Sequence, residues 1–113
     1  MPKVLISDKL SQSAVDIFKK NKIETIYKPG LSHDKLLKEI NNYDGLAIRS
    51  ATKVTEEVFT NAKNLKIVGR AGIGTDNIDK LAATKNGVII MNTPFGNAVT
   101  TAEHTIALIM SLV

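Results

Sequence analysis

The sequence predicts an α/β domain in which helices cover both faces of a parallel sheet. Five short apolar runs alternate with segments whose apolar residues recur at helical spacing. The connections between these segments are short, and the chain has no long linker, internal repeat or low-complexity tract. With 113 residues, 43% of them hydrophobic and 23% charged, the chain is large enough to bury a single core. We therefore expect one compact domain of this class.

Five strands are predicted from short, largely apolar runs at residues 4–6, 23–27, 45–48, 66–68 and 88–91, of which 4–6 is continuously apolar. Such runs are typical of strands that are buried on both faces of a parallel sheet. Five strands in a chain of this length favour the flavodoxin-like order 2-1-3-4-5, built with right-handed crossovers.

Helices are predicted after each strand, at residues 11–20, 33–40, 55–59, 78–84 and 97–113. Ser11 and Ser32 are suited to cap the first two helices, and Asp76 or Asn77 the fourth. Asn86-Gly87 is a typical end for that fourth helix.

Charge and composition exclude several classes of function. A net charge of +4 alone would suggest nucleic acid, but the lysines are scattered and only two Tyr, three Phe and no Trp are present. The chain has no cysteine, which excludes disulfides and thiolate chemistry. Its most apolar stretch, residues 105–113, is far shorter than the roughly 20 residues that span a bilayer. We expect a cytoplasmic protein with neither a nucleic-acid nor a membrane partner.

The arginines and one glycine-rich turn are the candidate ligand-binding features. Thirteen lysines accompany only two arginines, Arg49 and Arg70, and both directly follow strand-like apolar runs. A guanidinium offers a planar, bidentate fork for carboxylate or phosphate, which an ammonium does not. Arg70 lies in a turn predicted from Gly69, Gly72 and Gly74, and glycine lets a ligand approach the main chain closely.

These groups are predicted to meet at one edge of the sheet. In open α/β sheets, ligands bind outside the carboxyl ends of the strands. Arg49, Arg70 and Asn97 follow three strands that are neighbours in the predicted order, and the N–H groups of residues 71–73 could form an anion-binding nest. This set suits a small substrate that carries a carboxylate or a phosphate. The alternatives are that the arginines form surface salt bridges and that the glycines only make a tight turn.

Other local motifs give no site. The glycines read G-x-x-G-x-G, which is not the dinucleotide-binding fingerprint G-x-G-x-x-G. Asp76 and Asp79 are interpreted as helix caps rather than catalytic acids. His33 lies in a polar turn, and His104 has no second ligand at metal-binding spacing, so we expect no metal site.

Three stretches resemble the D-isomer-specific 2-hydroxyacid dehydrogenases: KVLISDKLS at 3–11, GLAIRSATKVTEEVF at 45–59, and LKIVGRAGIGTDNIDKLAATKNGVIIMNTPFGNAVTTAEHTIALIM at 65–110. The resemblance implies a flavodoxin-like substrate domain, residues 1–96, and a connecting helix, residues 97–113, that leads to a Rossmann NAD domain. It also implies hydride transfer between a 2-hydroxy acid and NAD. The catalytic arginine, glutamate and histidine of the family lie beyond Val113, so no catalytic residue is assigned in this chain.

The resemblance further implies roles for particular residues. One residue, Ile73, matches a position that can touch the nicotinamide end of NAD, although this chain alone is not expected to bind NAD well. Six residues match substrate contacts of the family: Arg49, Ser50, Arg70, Ala71, Gly72 and Asn97.

Three functions compete at this point. The first is the N-terminal substrate-binding portion of an NAD-dependent dehydrogenase, inactive alone, which pairs into a homodimer through a last helix that is apolar almost all round. The second is a stand-alone module for binding small anions or for dimerisation. The third, a phospho-receiver domain, needs an acceptor aspartate after the third strand, where this chain has Ile48-Arg49-Ser50.

Overall fold

The structure is a computed structural model that describes residues 3–10, 12–21, 23–72, 76–93, 101–103 and 105–107. Its sheet has five strands: β1 (Lys3–Ile6), β2 (Glu24–Tyr27), β3 (Gly45–Ile48), β4 (Ile67–Ala71) and β5 (Ile89–Thr93). All neighbouring strands pair in parallel, in the order β2-β1-β3-β4-β5. The predicted fold class and strand order are confirmed.

Four helices connect the strands: α1 (Gln12–Lys20), α2 (His33–Glu39), α3 (Glu56–Asn61) and α4 (Lys80–Lys85). A 3₁₀ turn, Ile40–Asn42, continues α2. Residues 101–103 and 105–107 are also helical. The remainder of the predicted connecting helix at 97–113 lies outside the described residues, so the proposed division of the chain at residue 96 stays a prediction.

The helix caps follow the sequence at Ser32, Asp79 and Asn86 and depart from it at residues 76 and 77. Ser32 accepts a hydrogen bond from the N–H of Lys35 at 3.3 Å, as an N-cap does. The cap of α4 is Asp79, whose Oδ1 accepts from the N–H of Ala82 at 3.0 Å, so the interpretation of Asp79 as a cap is confirmed and the prediction of a cap at residue 76 or 77 is wrong. Asn86 ends that helix as predicted. Ser11 lies outside the described residues.

Helices lie on both faces of the sheet because every strand between the edges presents apolar side chains in both directions. Helices α2, α3 and α4 cover one face, and the largest side chains they bury there belong to Leu36, Ile40, Val58 and Phe59. Helix α1 and the helical residues 101–103 and 105–107 cover the other face, burying Ala14, Phe18, Ala102 and Ile106. Among the described residues, no helix is long and apolar enough to cross a membrane.

Gly69 lies inside β4, pairs with Ala47 and Met91 in the neighbouring strands, and does not belong to a turn. The prediction that Gly69 belongs to the glycine turn is therefore wrong, because β4 continues to Ala71. A Cβ atom at position 69 would lie 2.6 Å from Oγ1 of Thr105 and 3.2 Å from Cγ2 of Thr101. Glycine is thus needed here because the last described helical residues pack directly on the strand.

Candidate functional site

The candidate site lies where the strands β1, β3 and β4 end. Ile48 of β3 is in register with Arg70 of β4, and Arg70 is in register with Asn92 of β5. Arg49 and Ser50 follow β3 directly, so both predicted arginine positions reach the carboxyl edge of the sheet. This is the edge at which open α/β sheets bind ligands.

The side chain of Arg70 is buried and held at one end only. Its residue is 8% exposed, and its Nη1 donates to Oδ1 of Asn77 at 2.6 Å and to Oδ1 of Asp76 at 3.1 Å. The Asp76 side chain is 93% exposed, so water screens this ion pair and limits what it contributes. The buried bond to Asn77 is the stronger constraint on the guanidinium.

The opposite edge of the Arg70 guanidinium contains a donor with no described partner. Its Nε is buried and, among the described residues, has no hydrogen-bond acceptor. A buried donor without a partner costs about 1–3 kcal/mol, and more when it is charged. A Cβ atom at Gly72 would lie 3.4 Å from Nε and 3.7 Å from Nη2, but 3.9 Å from Cζ, which places it outside the Nε–Nη2 edge. Any side chain at position 72 would therefore pack against this edge.

Asp76 titrates below its usual range. The hydrogen bond from Arg70 is the main cause of the lowered pKa; a main-chain hydrogen bond and the charge of the guanidinium also lower it. A smaller contribution comes from Lys53. Asp76 is consequently an ion-pair partner of Arg70, and the interpretation of this residue as a helix cap is wrong.

Arg49 is fixed through its main chain, whereas its guanidinium is exposed. Its N–H donates to Oδ2 of Asp8 at 2.7 Å, and its carbonyl accepts from Nδ2 of Asn77 at 2.9 Å. The Nη1 of Arg49 makes only a long contact, 3.5 Å, to the carbonyl of Lys9. Asn77 thus joins the guanidinium of Arg70 to the main chain of Arg49, and the two guanidiniums share no described contact.

The other predicted site residues are placed only in part. Ser50 is exposed beside Arg49. Ala71 is buried as the last residue of β4, and the carbonyl of Gly72 accepts from Nδ2 of Asn92 at 3.3 Å. Ile73 and Asn97 lie outside the described residues, and the nest predicted at 71–73 stays a prediction.

Asp8 and Asn77 organise this edge, and sequence reasoning gave neither of them that role. Asp8 is 4% exposed; its Oδ2 accepts from the N–H groups of Arg49 and Thr52, and its Oδ1 accepts from the hydroxyl of Thr52 at 2.6 Å. The Oγ of Ser7 lies 2.8 Å from the same hydroxyl. The available signal for Asp8 was its position directly after a buried strand.

The described connections do not form a dinucleotide cradle. Such a cradle needs a tight glycine turn that leads from a strand into a helix N-terminus free to face a pyrophosphate. The N-terminus of α4 is instead occupied by the carboxylate of Asp79, and the residues after β1 include buried Asp8 and no glycine. The described residues of these two connections therefore supply no dinucleotide-binding turn. Within the described ranges, no three His, Asp or Glu side chains are grouped to hold a metal ion.

Two surface hollows lie near these loops, and both are lined by acidic side chains. One of about 360 Å³ lies along α3 and is lined by Glu56 and Glu57, which makes it unsuitable for an anion. Another of about 320 Å³ lies between residues 53–55 and 76–79, next to the network that holds Arg70, and is lined by Lys53 together with Asp76 and Asp79.

These features define an open parallel α/β domain with a buried polar network at its carboxyl edge. The network includes Arg70, whose Nε has no described hydrogen-bond acceptor. The chain belongs to the family described as D-isomer specific 2-hydroxyacid dehydrogenase, catalytic domain, which matches residues 4–107.

Among relatives, the chain is 48% identical over 109 residues to a D-3-phosphoglycerate dehydrogenase of Archaeoglobus fulgidus, covering 96% of this chain and 21% of that protein. It is also 48% identical over 113 residues to the enzyme of the same name from Bacillus subtilis, covering 99% and 21%. The NAD⁺-bound structure of 3-phosphoglycerate dehydrogenase from Entamoeba histolytica matches with a TM-score of 0.75 and 29% identity, over 82% of this chain and 33% of that one. The chain spans about a fifth of the length of the curated relatives it matches.

Proposed function

We propose that this chain is the N-terminal substrate-binding portion of an NAD-dependent D-3-phosphoglycerate dehydrogenase. The enzyme would oxidise 3-phosphoglycerate to 3-phosphohydroxypyruvate for serine biosynthesis. The observation that carries the proposal is the buried Nε of Arg70, which has no hydrogen-bond acceptor among the described residues and lies on the edge that a side chain at position 72 would contact. Two parallel N–H groups on a buried cation match the two oxygens of a carboxylate or phosphate.

The remaining substrate contacts are proposed from position and family likeness. Arg49 and Ser50 are exposed at the end of β3, where a second negative group of the substrate would reach them. The proposed contacts also include the main chain at Ala71 and Gly72 and the amide of Asn97. Ile73 is proposed to touch the nicotinamide.

The chemistry itself is assigned to other parts of the enzyme. Because the described connections offer no cradle for NAD, the cofactor and the catalytic residues are proposed to come from a further domain that residues 97–113 connect. NAD supplies the hydride acceptor when it is bound; Arg70 holds and orients the acidic group of the substrate. We propose a cytoplasmic location, which the absence of cysteine fits.

The first experiment follows the side chain of Arg70 directly. In the ¹⁵N-labelled chain, the Nε–Hε signal of Arg70 is expected to shift as 3-phosphoglycerate is added, because the orphaned donor gains an acceptor. Arg70→Lys keeps the charge but loses the fork, so affinity should fall by about tenfold or more. Arg49→Lys is the matched change at the exposed arginine and should weaken binding less. An Arg70 signal that stays fixed up to tens of millimolar ligand would refute the proposal.

The alternative is a stand-alone module that binds small anions. Both hypotheses predict the same sequence and the same site residues, so the affinity of the isolated chain, measured by isothermal titration calorimetry, distinguishes them. A complete module should bind 3-phosphoglycerate tightly without any other domain. A half-site should bind weakly, and adding NAD to the chain with substrate should give no absorbance of NADH.

We also propose a homodimer formed through the last helix. Within its described part, Thr101, Ala102, Thr105 and Ile106 are buried against the domain, while Glu103 and Ala107 are exposed. The apolar residues further along the sequence would cover one another in a pair. Sedimentation should show dimers at high protein concentration, and a purely monomeric chain would contradict this proposal.

A further inference from the structure

Asn77 uses all of its side-chain hydrogen-bonding groups inside the protein. It is 8% exposed; Nδ2 donates to the carbonyls of Arg49 at 2.9 Å and Thr52 at 2.7 Å, while Oδ1 accepts from Arg70 at 2.6 Å. A carbonyl can only accept and a guanidinium can only donate, so these three partners fix the orientation of the amide. The side chain therefore connects two loops that follow different strands.

The main chain strengthens the same connection. The N–H of Val54 donates to the carbonyl of Asn77 at 2.9 Å, and the N–H of Asp79 donates to the carbonyl of Val54 at 2.9 Å. Val54 and Ile78 thereby form an isolated parallel bridge beyond the ends of β3 and β4. Side chain and main chain together hold residues 76–79 against the loop at residues 49–54.

The loop at residues 49–54 is held from its other side by Asp8, which bonds Arg49 and Thr52. The described contacts thus place this loop between a carboxylate after β1 and an amide after β4. Only the amide also reaches Arg70. Removal of the whole amide at residue 77 should consequently affect the guanidinium and the loop at once.

We propose that Asn77 is a positioning residue for oxyanion binding, which holds Nη1 of Arg70 so that its Nε–Nη2 edge faces the ligand and couples it to the Arg49–Thr52 loop. This inference rests on the proposed function. A free arginine side chain has several rotatable bonds, and ordering it when the ligand arrives would weaken binding. Asp76 cannot replace Asn77 in this role, because its ion pair is exposed to water.

The test compares Asn77→Ala with Asn86→Ala in the ¹⁵N-labelled 113-residue chain. Asn86 is the matched control: its Nδ2 donates to the carbonyl of Ala82 at 2.8 Å at the end of α4, away from Arg70. In the ligand-free protein, Asn77→Ala should broaden the Nε–Hε signal of Arg70 and speed its exchange with water. Affinity for 3-phosphoglycerate should fall by about tenfold. Asn86→Ala should lower stability and change neither measurement.

Asn77→Asp distinguishes the connection to Arg70 from the connection to the loop at residues 49–54. It also provides a second test if the Asn77→Ala chain does not fold. Aspartate keeps an acceptor for Arg70 but turns an oxygen towards the carbonyls of Arg49 and Thr52. The Arg70 signal should then stay sharp while the amide signals of residues 49–54 shift. A folded Asn77→Ala chain with unchanged Arg70 signal and affinity would overturn the inference, as would unshifted loop signals in Asn77→Asp.

Failure of the proposed function would look different. In that case the Nε–Hε signal of Arg70 in the unsubstituted chain would not shift when 3-phosphoglycerate is added. Asn77→Ala would still broaden this signal in the ligand-free protein.

Discussion

Replacement of Gly69 by alanine tests how closely the last described helical residues pack on the sheet. The new Cβ atom would lie 2.6 Å from Oγ1 of Thr105, about an ångström short of an ordinary nonbonded separation. That hydroxyl is fully buried and donates to the carbonyl of Thr101 at 2.8 Å, so moving it away sacrifices a hydrogen bond worth about 1 kcal/mol. Overpacking costs about 1–3 kcal/mol more, and the reduced freedom of the unfolded chain offsets under 1 kcal/mol. We expect a net loss of about 1–3 kcal/mol.

Urea unfolding followed by far-ultraviolet circular dichroism measures this loss. Thr105→Ala removes the opposing hydroxyl and methyl, so the double variant Gly69→Ala/Thr105→Ala should cost less than the two single changes together, by about 1 kcal/mol. Gly87→Ala is the control, because its φ of +68° strains any side chain although no atom lies within 4 Å of a Cβ there. Thr105→Ala should not relieve that strain. A Gly69→Ala chain as stable as the original, or strictly additive costs, would refute the packing argument.

Two further predictions concern the surroundings of Arg70. Gly72→Ala would place a methyl group 3.4 Å from Nε, where an oxyanion would bind. The affinity for 3-phosphoglycerate, measured from the shift of the Arg70 signal, should therefore fall by about tenfold or more. An unchanged affinity would contradict this. Asp76→Asn removes a negative charge beside the guanidinium and should strengthen anion binding a few-fold at low salt, less at high salt. Because the pKa of Asp76 lies below its ordinary value of 3.8 in the folded protein, the stability it contributes is present at neutral pH and is lost as the pH falls below about 4. The stability difference between the original and Asp76→Asn chains, measured by urea unfolding, should therefore shrink in acid; a difference that is constant from pH 7 to pH 3 would argue against the ion pair.

The fold was predictable because its signals are local. Each strand contains a short apolar stretch, and the helical segments between these stretches are long enough to form parallel crossovers. Strand β4 was predicted too short because the apolar run stops at Val68. The strand continues to Ala71 since its main chain still pairs with β5, and main-chain pairing leaves no mark on the identity of Gly69 or Arg70.

Of the groups at the candidate site, only the two arginines could be predicted from the sequence. Arg70 stood out because arginine is scarce in this chain, and its position after a strand indicated the carboxyl edge. The groups that hold it depend on contacts between distant parts of the sequence. Asp8 and Arg49 are 41 positions apart, and Asn77 and Arg49 are 28 apart. Asn77 was assigned to a helix cap because asparagine before a helix is a local cap signal, and the tertiary contacts override that signal.

The bridge between Val54 and Ile78 has a consequence for any attempt to exchange parts among related proteins. A chimera that receives a foreign segment in place of residues 49–54 keeps the amide of Asn77 and the carboxylate of Asp8, and these are satisfied only if the new backbone places its carbonyls and N–H groups as Arg49 and Thr52 do. Grafting residues 76–79 alone would create the same mismatch from the other side. The two segments and Asp8 should therefore be inherited, and transplanted, as a single unit.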